Sequence, residues 1–449
     1  MQPTPLLLDP PLLAPAAARR PLARTRLRVV ALVALLVALA LPSVANVSFG
    51  VRLGMLAGDL KVFQATAIVL SLALLAWHRS LRNLPVLNGL LGLLWVVVLF
   101  NVGTALVSGP ELLPPLARGI ANLTINVLAA VGVSQVLRRP GATRTFATAV
   151  CLFGILVAGS ALLEYALLKT SFALLVDWRN FVWGSVDPGD LLTIGGVTLD
   201  PTGLARVGGV VGAPENLGYV LAFTLPFVLL LDLAPARQGA VLVLDAAAAV
   251  VTGSRTLTIA IGIAALLVLG RRNRRRRART AVVVAVAATL AALAWSSVNE
   301  EAFARFSPEA LQYELAWRGD RAAALLEAVR TRPNGWLAGI GFGSGADLLH
   351  GLDAVTSGLL GGDVAVAFGL GGLAGLAVLA AFWAILLGLR RRVRTAPVPL
   401  RRAVDLYTAF VAAASLLFPV LLQLVLTTGI IGGLMVAFLV AADGARLER

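Results

Sequence analysis

The stretch VTGSRTLTIAIGIAALLVLGRRNRRRRART, Val251 to Thr280, is an apolar run between a Gly-Ser-Arg turn and a block of arginines. A run of this kind that stops at a dense basic cluster reads as a bilayer-crossing helix ending at the cytoplasmic headgroups. The pattern recurs along the chain. Of 449 residues, 59% are hydrophobic and only 14% charged, with a mean hydropathy of +0.88. A soluble domain of this length needs more charge to cover its surface. The apolar runs lack the short alternating segments of a membrane barrel. The fold class is therefore all-α: a polytopic integral membrane protein with about twelve transmembrane helices.

The expected spans lie at about 28–45, 62–77, 84–107, 115–136, 146–168, 209–233, 238–252, 255–270, 280–297, 363–389, 404–427 and 429–443. Residues 1–27 form a Pro-rich, disordered tail rather than a cleavable signal, 28–443 one transmembrane domain, and 444–449 a short C-terminal tail. With both termini cytoplasmic, the basic runs at Arg19–Arg28, His78–Arg82, Arg138–Arg144, Arg271–Arg279 and Arg390–Arg402 all fall inside. The positive-inside rule fixes that orientation. It also explains the formal charge of +15 as topology and anionic-lipid contact, not nucleic-acid binding. A single cysteine, Cys151, excludes an internal disulfide. With His78 and His350 the only histidines, a histidine-based zinc site has too few ligands.

Inner connections are short. Two outer loops are long, 169–208 and 298–362, and long loops in compact proteins are usually functional. In the first, LLTIGGVTLD (Leu191–Asp200) has the alternation of a short hairpin. In the second, Leu311, Leu315, Ala322, Leu325, Leu326 and Val329 recur at helical spacing over Pro308–Arg330, with Pro333 beyond as a stop. The many charges on that helix place it along the membrane surface rather than across it.

Three motifs share the outer face. RVGGVVGAPENLGY, Arg206 to Tyr219, sets an arginine and glycines before a Pro-Glu-Asn helix start. VTGSRT puts Arg255 at a helix N-terminus, where unpaired N–H groups and the helix dipole favour an anion. The plainer reading of Arg255 is a snorkelling side chain on a lipid headgroup. RGDRAAALLEAVRTRPNGWLAGIGFGSG carries Arg318, Arg321, Pro333 and the Gly339/Gly341 pair.

In this order the motifs resemble those of the O-antigen polymerase and O-antigen ligase superfamily. RVGGVVGAPENLGYVLAFTLP is similar to its Arg-x-x-Gly…Pro-x-Asn segment, VTGSRT to its Thr/Ser-Gly-Ser-Arg turn, and Arg318…Pro333…Gly339/Gly341 to its Arg…Pro…Gly-x-Gly loop. AFGLGGLAGL, Ala367 to Leu376, is similar to the glycine pair of the following span. The likeness covers about residues 200–380. It implies a GT-C-like helical fold in the bacterial inner membrane, with its site facing the periplasm. It also implies metal-independent transfer of a glycan from an undecaprenyl-diphosphate-linked oligosaccharide donor to a lipid-linked acceptor. No cofactor is implied; membrane lipids and a chain-length regulator protein are the other expected partners. Carried over, Arg206 and Arg255 hold the diphosphate and Arg318 is a further catalytic group on the loop.

The ligases carry a His-Asn-like pair shortly before the glycine matching Gly369. Here Gly358 and Leu359 stand there, and His350 lies further upstream. That departure favours a polymerase over a ligase acting on lipid A core. His350 is the expected general base, being the natural titrating group near neutral pH; Asp347, Asp353, Asp363, Glu215 and Glu314 are other outward carboxylates. Glu215, Asn216, Ser254, Trp317 and Arg321 are the expected substrate-binding residues. Glu215 orients Arg206, or Asn216 caps the helix; the sequence leaves both open. Trp178, Trp183 and Trp336 are also outward, and suit sugar stacking or interfacial anchoring. Asp187 and Asp190 suit a capped turn better than a metal site. A flippase or transporter is the competing class. It normally shows internal repeats and charges within spans, whereas here Glu164 and Asp245 are nearly the only deep acids.

The orientation has a direct check. A phosphatase reporter that works only outside the cytoplasm is expected to be active when fused after Asp320 and silent after Arg275. The reverse pattern overturns the assignment.

Overall fold

A computed structural model describes residues 16–40, 84–108, 113–137, 141–183, 207–212, 214–231, 233–269, 308–331, 334–339, 362–416, 420–421 and 430–447. Among these residues all regular structure is helical. In chain order the helices are α1 (Ala16–Ala40), α2 (Pro85–Ser108), α3 (Leu113–Leu137), α4 (Ala142–Thr170), α5 (Phe172–Trp183), α6 (Pro214–Leu230), α7 (Pro235–Thr252), α8 (Arg255–Leu269), α9 (Pro308–Thr331), the short α10 (Gly335–Ala338), α11 (Asp363–Arg392), α12 (Val398–Ala414) and α13 (Ile430–Leu447). Among the described residues, three segments are long and apolar enough to cross a membrane: Pro85–Gly103, Ala142–Thr170 and Asp363–Thr395. The expected spans at about 62–77 and 280–297, and the Leu191–Asp200 hairpin, lie outside the described residues.

The centre is α6, PENLGYVLAFTLPFVLL. It is apolar on every side, and a helix of that kind is stable only when surrounded. Every residue from Leu217 to Leu229 is buried. Helices α4, α7, α8, α12 and α13 pack around it. An aromatic cluster fills the contacts: Phe227 meets Phe438 edge-on at 5.3 Å, Tyr407 stacks on Phe438 at 4.8 Å and Phe223 meets Phe410 at 5.4 Å. The outer ring inverts the soluble pattern. Val96, Leu99, Val102 and Leu106 on α2, and Leu152, Leu156 and Leu163 on α4, form exposed apolar stripes. Apolar exteriors of this extent suit lipid, not water.

Three elements differ from the sequence expectation. Helix α1 begins at Ala16, inside the expected 1–27 tail, because its Ala, Leu and Arg residues are good helix formers. The first long loop is helical over Phe172–Trp183. Helix α12 ends at Ala414, well before 427. There Asp363 ties the chain: its N–H donates to Ser415 O (2.9 Å), and its carboxylate accepts the Leu421 N–H (3.0 Å). Asp363 is thus a buried anchor and not the outward base candidate of the sequence reading.

At the arginine-rich end, Asp443 of α13 is fully buried and accepts the Val86 N–H at 3.0 Å, capping α2 from a distant helix. Arg392 Nε and Arg446 Nε each lie 3.6 Å from its other oxygen. Removing a buried acceptor that leaves donors unsatisfied costs on the order of 1–3 kcal/mol. Asp443→Ala is expected to lower the unfolding midpoint in detergent by a corresponding amount. Asp405→Ala, which breaks the half-exposed Arg390–Asp405 pair, is expected to cost less than about 1 kcal/mol. Equal losses contradict this ranking.

Candidate functional site

The residues after Arg206 form a single 3-10 turn, Gly209–Val211, leading into α6. The turn is held from α4. Glu164 Oε2 accepts the N–H groups of Gly208 (3.1 Å) and Gly209 (2.7 Å). One helical turn earlier, Ser160 Oγ accepts the Val210 N–H at 3.0 Å and donates to Val157 O at 2.7 Å. Three successive N–H groups are thereby satisfied at a junction where neither helix supplies carbonyls. Only glycine fits at 209. Its φ is +54°, and a Cβ would lie 2.5 Å from Ser160 Oγ and 3.0 Å from the Ala161 nitrogen.

The other oxygen of Glu164 belongs to Arg179. Oε1 accepts Nε at 3.0 Å and Nη2 at 2.9 Å, and both side chains are only 3% exposed. Arg179 sits on α5, which has a buried and an exposed face. Leu175, Arg179 and Val182 are buried, and Ala173, Leu174, Asp177 and Phe181 form one exposed, mainly apolar side. Charges buried in apolar surroundings persist when paired and hydrogen-bonded, and here one carboxylate oxygen takes two guanidinium N–H groups while the other takes two backbone N–H groups.

The Gly-Ser-Arg turn joins α7 to α8. Gly253 takes the left-handed conformation (φ 60°), its N–H donates to Val250 O (3.0 Å), and the Ser254 N–H donates to Ala249 O (3.0 Å). This pair of bonds closes α7 as a Schellman motif. Ser254 then caps the next helix, its Oγ accepting the Leu257 N–H at 3.3 Å. Arg255 is therefore the first residue of α8. The buried Ser254 also packs against α6 at Gly218, where an added Cβ would collide with its Oγ and lie 2.9 Å from its Cβ. The structure thus brings together two motifs that are separate in sequence.

The third motif docks on α11. Leu325 and Val329 of α9 are buried, and Leu325 fills the space left by the missing side chain of Gly369. Trp336 of α10 meets Phe368 edge-on at 5.5 Å. Inside AFGLGGLAGL the helix breaks: Gly372 has φ 55°, ψ −141°, and the backbone at Trp336 and Leu337 leaves no room for a side chain. Helix α11 packs in turn on α12, and α12 on α6 and α8.

Of the sequence-predicted residues, Ser254 is buried and Asn216 is exposed at the start of α6. Glu215 stands beside Asn216 in α6, Arg255 opens α8, and Trp317, Arg318 and Arg321 lie within α9. Arg206 and His350 lie outside the described residues. Sequence reasoning missed the Ser160–Glu164–Arg179 network. Its one signal was an acid inside an apolar run; the partners come from residues far along the chain. Comparison with protein-family models gives no match, and comparison with curated proteins gives none of significance.

The Gly218–Ser254 contact is checked by substitution. Gly218→Val is expected to separate α6 from the α8 start and lower the thermal midpoint sharply. Gly262→Ala, on α8 with nothing within 4 Å of an added Cβ, is expected to be neutral or to stabilise by up to about 1 kcal/mol. A Gly218→Val protein as stable as wild type overturns the packing.

Proposed function

We propose that this chain is a membrane glycosyltransferase: a polysaccharide polymerase of the O-antigen kind, working at the outer leaflet of the bacterial inner membrane. It moves a glycan from an undecaprenyl-diphosphate-linked donor to the non-reducing end of another lipid-linked repeat unit, without a metal. The about twelve spans, the GT-C-like arrangement and the outward-facing site belong to this proposal. So do the catalytic and substrate-binding roles of the residues above.

One observation carries it. Ser254 seats against Gly218, which sets the helix start that follows Arg206 beside the helix that Arg255 opens. Two arginines that are distant in sequence then serve one anion. Bidentate guanidinium–phosphate contacts neutralise a diphosphate well, and the first N–H groups of α8 add to them. In the step itself the acceptor hydroxyl oxygen forms a bond to the anomeric carbon. The bond from that carbon to the diphosphate oxygen breaks, and its electron pair leaves with the diphosphate. His350 takes the hydroxyl proton. Arg318, on the loop helix, meets the charge that grows on the leaving group.

Purified protein incubated with an undecaprenyl-diphosphate repeat unit is expected to give a ladder of lengthening products on a gel. Product only when lipid A core is added identifies a ligase instead. Movement of the lipid-linked unit across vesicles without extension identifies a transporter. Arg255→Ala and Arg318→Ala are each expected to cut turnover by about 100-fold or more, the scale of losing one preorganised charge contact. A normal ladder from Arg255→Ala removes the diphosphate assignment, and unchanged turnover from His350→Ala removes the base.

A further inference from the structure

We infer that Glu164 is a positioning residue for the turn that follows Arg206, with Arg179 as its counter-ion; this rests on the reading of the site given above. The observations are independent of that reading. Glu164 lies within an apolar span, is 2% exposed, and uses both oxygens: two backbone N–H groups on one, one guanidinium on the other. Asp363 and Asp443 are buried carboxylates that also accept backbone N–H groups, but of the three only Glu164 holds a motif turn beside the proposed site and pairs with an equally buried arginine.

The carboxylate is required because both of its oxygens accept. A glutamine has one accepting oxygen and one donating amide. Turned one way its NH2 faces Arg179; turned the other way it faces the Gly208 and Gly209 N–H groups. Either way one set of donors is left buried without an acceptor. Arg179 has a second task. A lone carboxylate at the mouth of a diphosphate site repels the donor, and the guanidinium cancels that charge while leaving the N–H contacts intact. The device therefore fixes the backbone without adding net negative charge. Its arginine sits on α5, whose exposed Leu174 and Phe181 suit the lipid interface, so the position of α5 and that of the turn are linked.

The test uses the full chain in lipid nanodiscs. Amide hydrogen exchange at Gly208–Val210 reads the clamp, binding of undecaprenyl diphosphate reads the site, and chain extension reads turnover. Glu164→Gln is expected to speed exchange at Gly208 and Gly209 and to cut kcat by about 10-fold or more while the rest of the protein keeps its protection. Arg179→Ala is expected to raise the KM for the donor more than it lowers kcat, and Arg179→Lys, which keeps the charge, to restore most of that KM. Should Glu164→Gln fail to fold, Ser160→Ala removes one contact and is expected to speed exchange at Val210 and lower kcat several-fold. Folded variants with wild-type kcat and KM overturn the inference. If wild type makes no ladder, the glycan reading fails alone: the inference then stands or falls on whether Glu164→Gln weakens undecaprenyl diphosphate binding.

Discussion

Between two helices in lipid the hydrophobic effect offers little, because the acyl chains are as apolar as the side chains they replace. What remains is close packing and hydrogen bonding. Both need backbones to come near one another, and glycine is the residue that permits it. The contacts that define this structure are of that kind. Gly218 admits Ser254, Gly369 admits Leu325, Gly432 admits Asn126, and Gly209 lets the turn reach Ser160 and Glu164. Each joins elements far apart in the chain, and three of the four fall in or beside a motif visible in the sequence. The glycines that resemble a catalytic signature are thus also the ones that build the bundle.

Polar residues inside the bundle follow a matching rule. Glu164, Asp363 and Asp443 are buried carboxylates, and each accepts backbone N–H groups from another part of the chain. In a medium without water such a carboxylate is a joint, closing a helix end that its own sequence leaves open. Glu164 differs in being matched by a fully buried arginine. Asp443 has partly exposed ones, and that difference separates a joint beside the proposed anion site from a joint at the arginine-rich rim.

Much of this was legible in the sequence, and the boundary has a physical cause. Hydrophobic run length marked helices α2, α4 and α11, and a turn of Gly-Ser before an arginine marked the start of α8. The helical repeat over Pro308–Arg330 reappears as α9, Pro308–Thr331. Those signals are local. Partner choice is not local, so neither the pairing of Glu164 with Arg179 nor the capping of Val86 by Asp443 left a trace in spacing. Helix α5 was hidden for another reason: its twelve residues are too few to resemble a span, and its lipid face and its core face both read as scattered apolar residues in a loop. The early end of α12 did have a local signal, Pro419 inside the expected 404–427 span, since a proline disfavours helix in the residues before it; the buried aspartate that ties the chain there, Asp363, comes from another helix and left none.

The bond from Val86 to Asp443 has a bearing on biogenesis. Its partners lie 357 positions apart, so the first turn of α2, at the arginine-rich rim, keeps water as its partner until α13 packs beside it. Docking of α13 fixes that first turn of α2, a helix it also packs against.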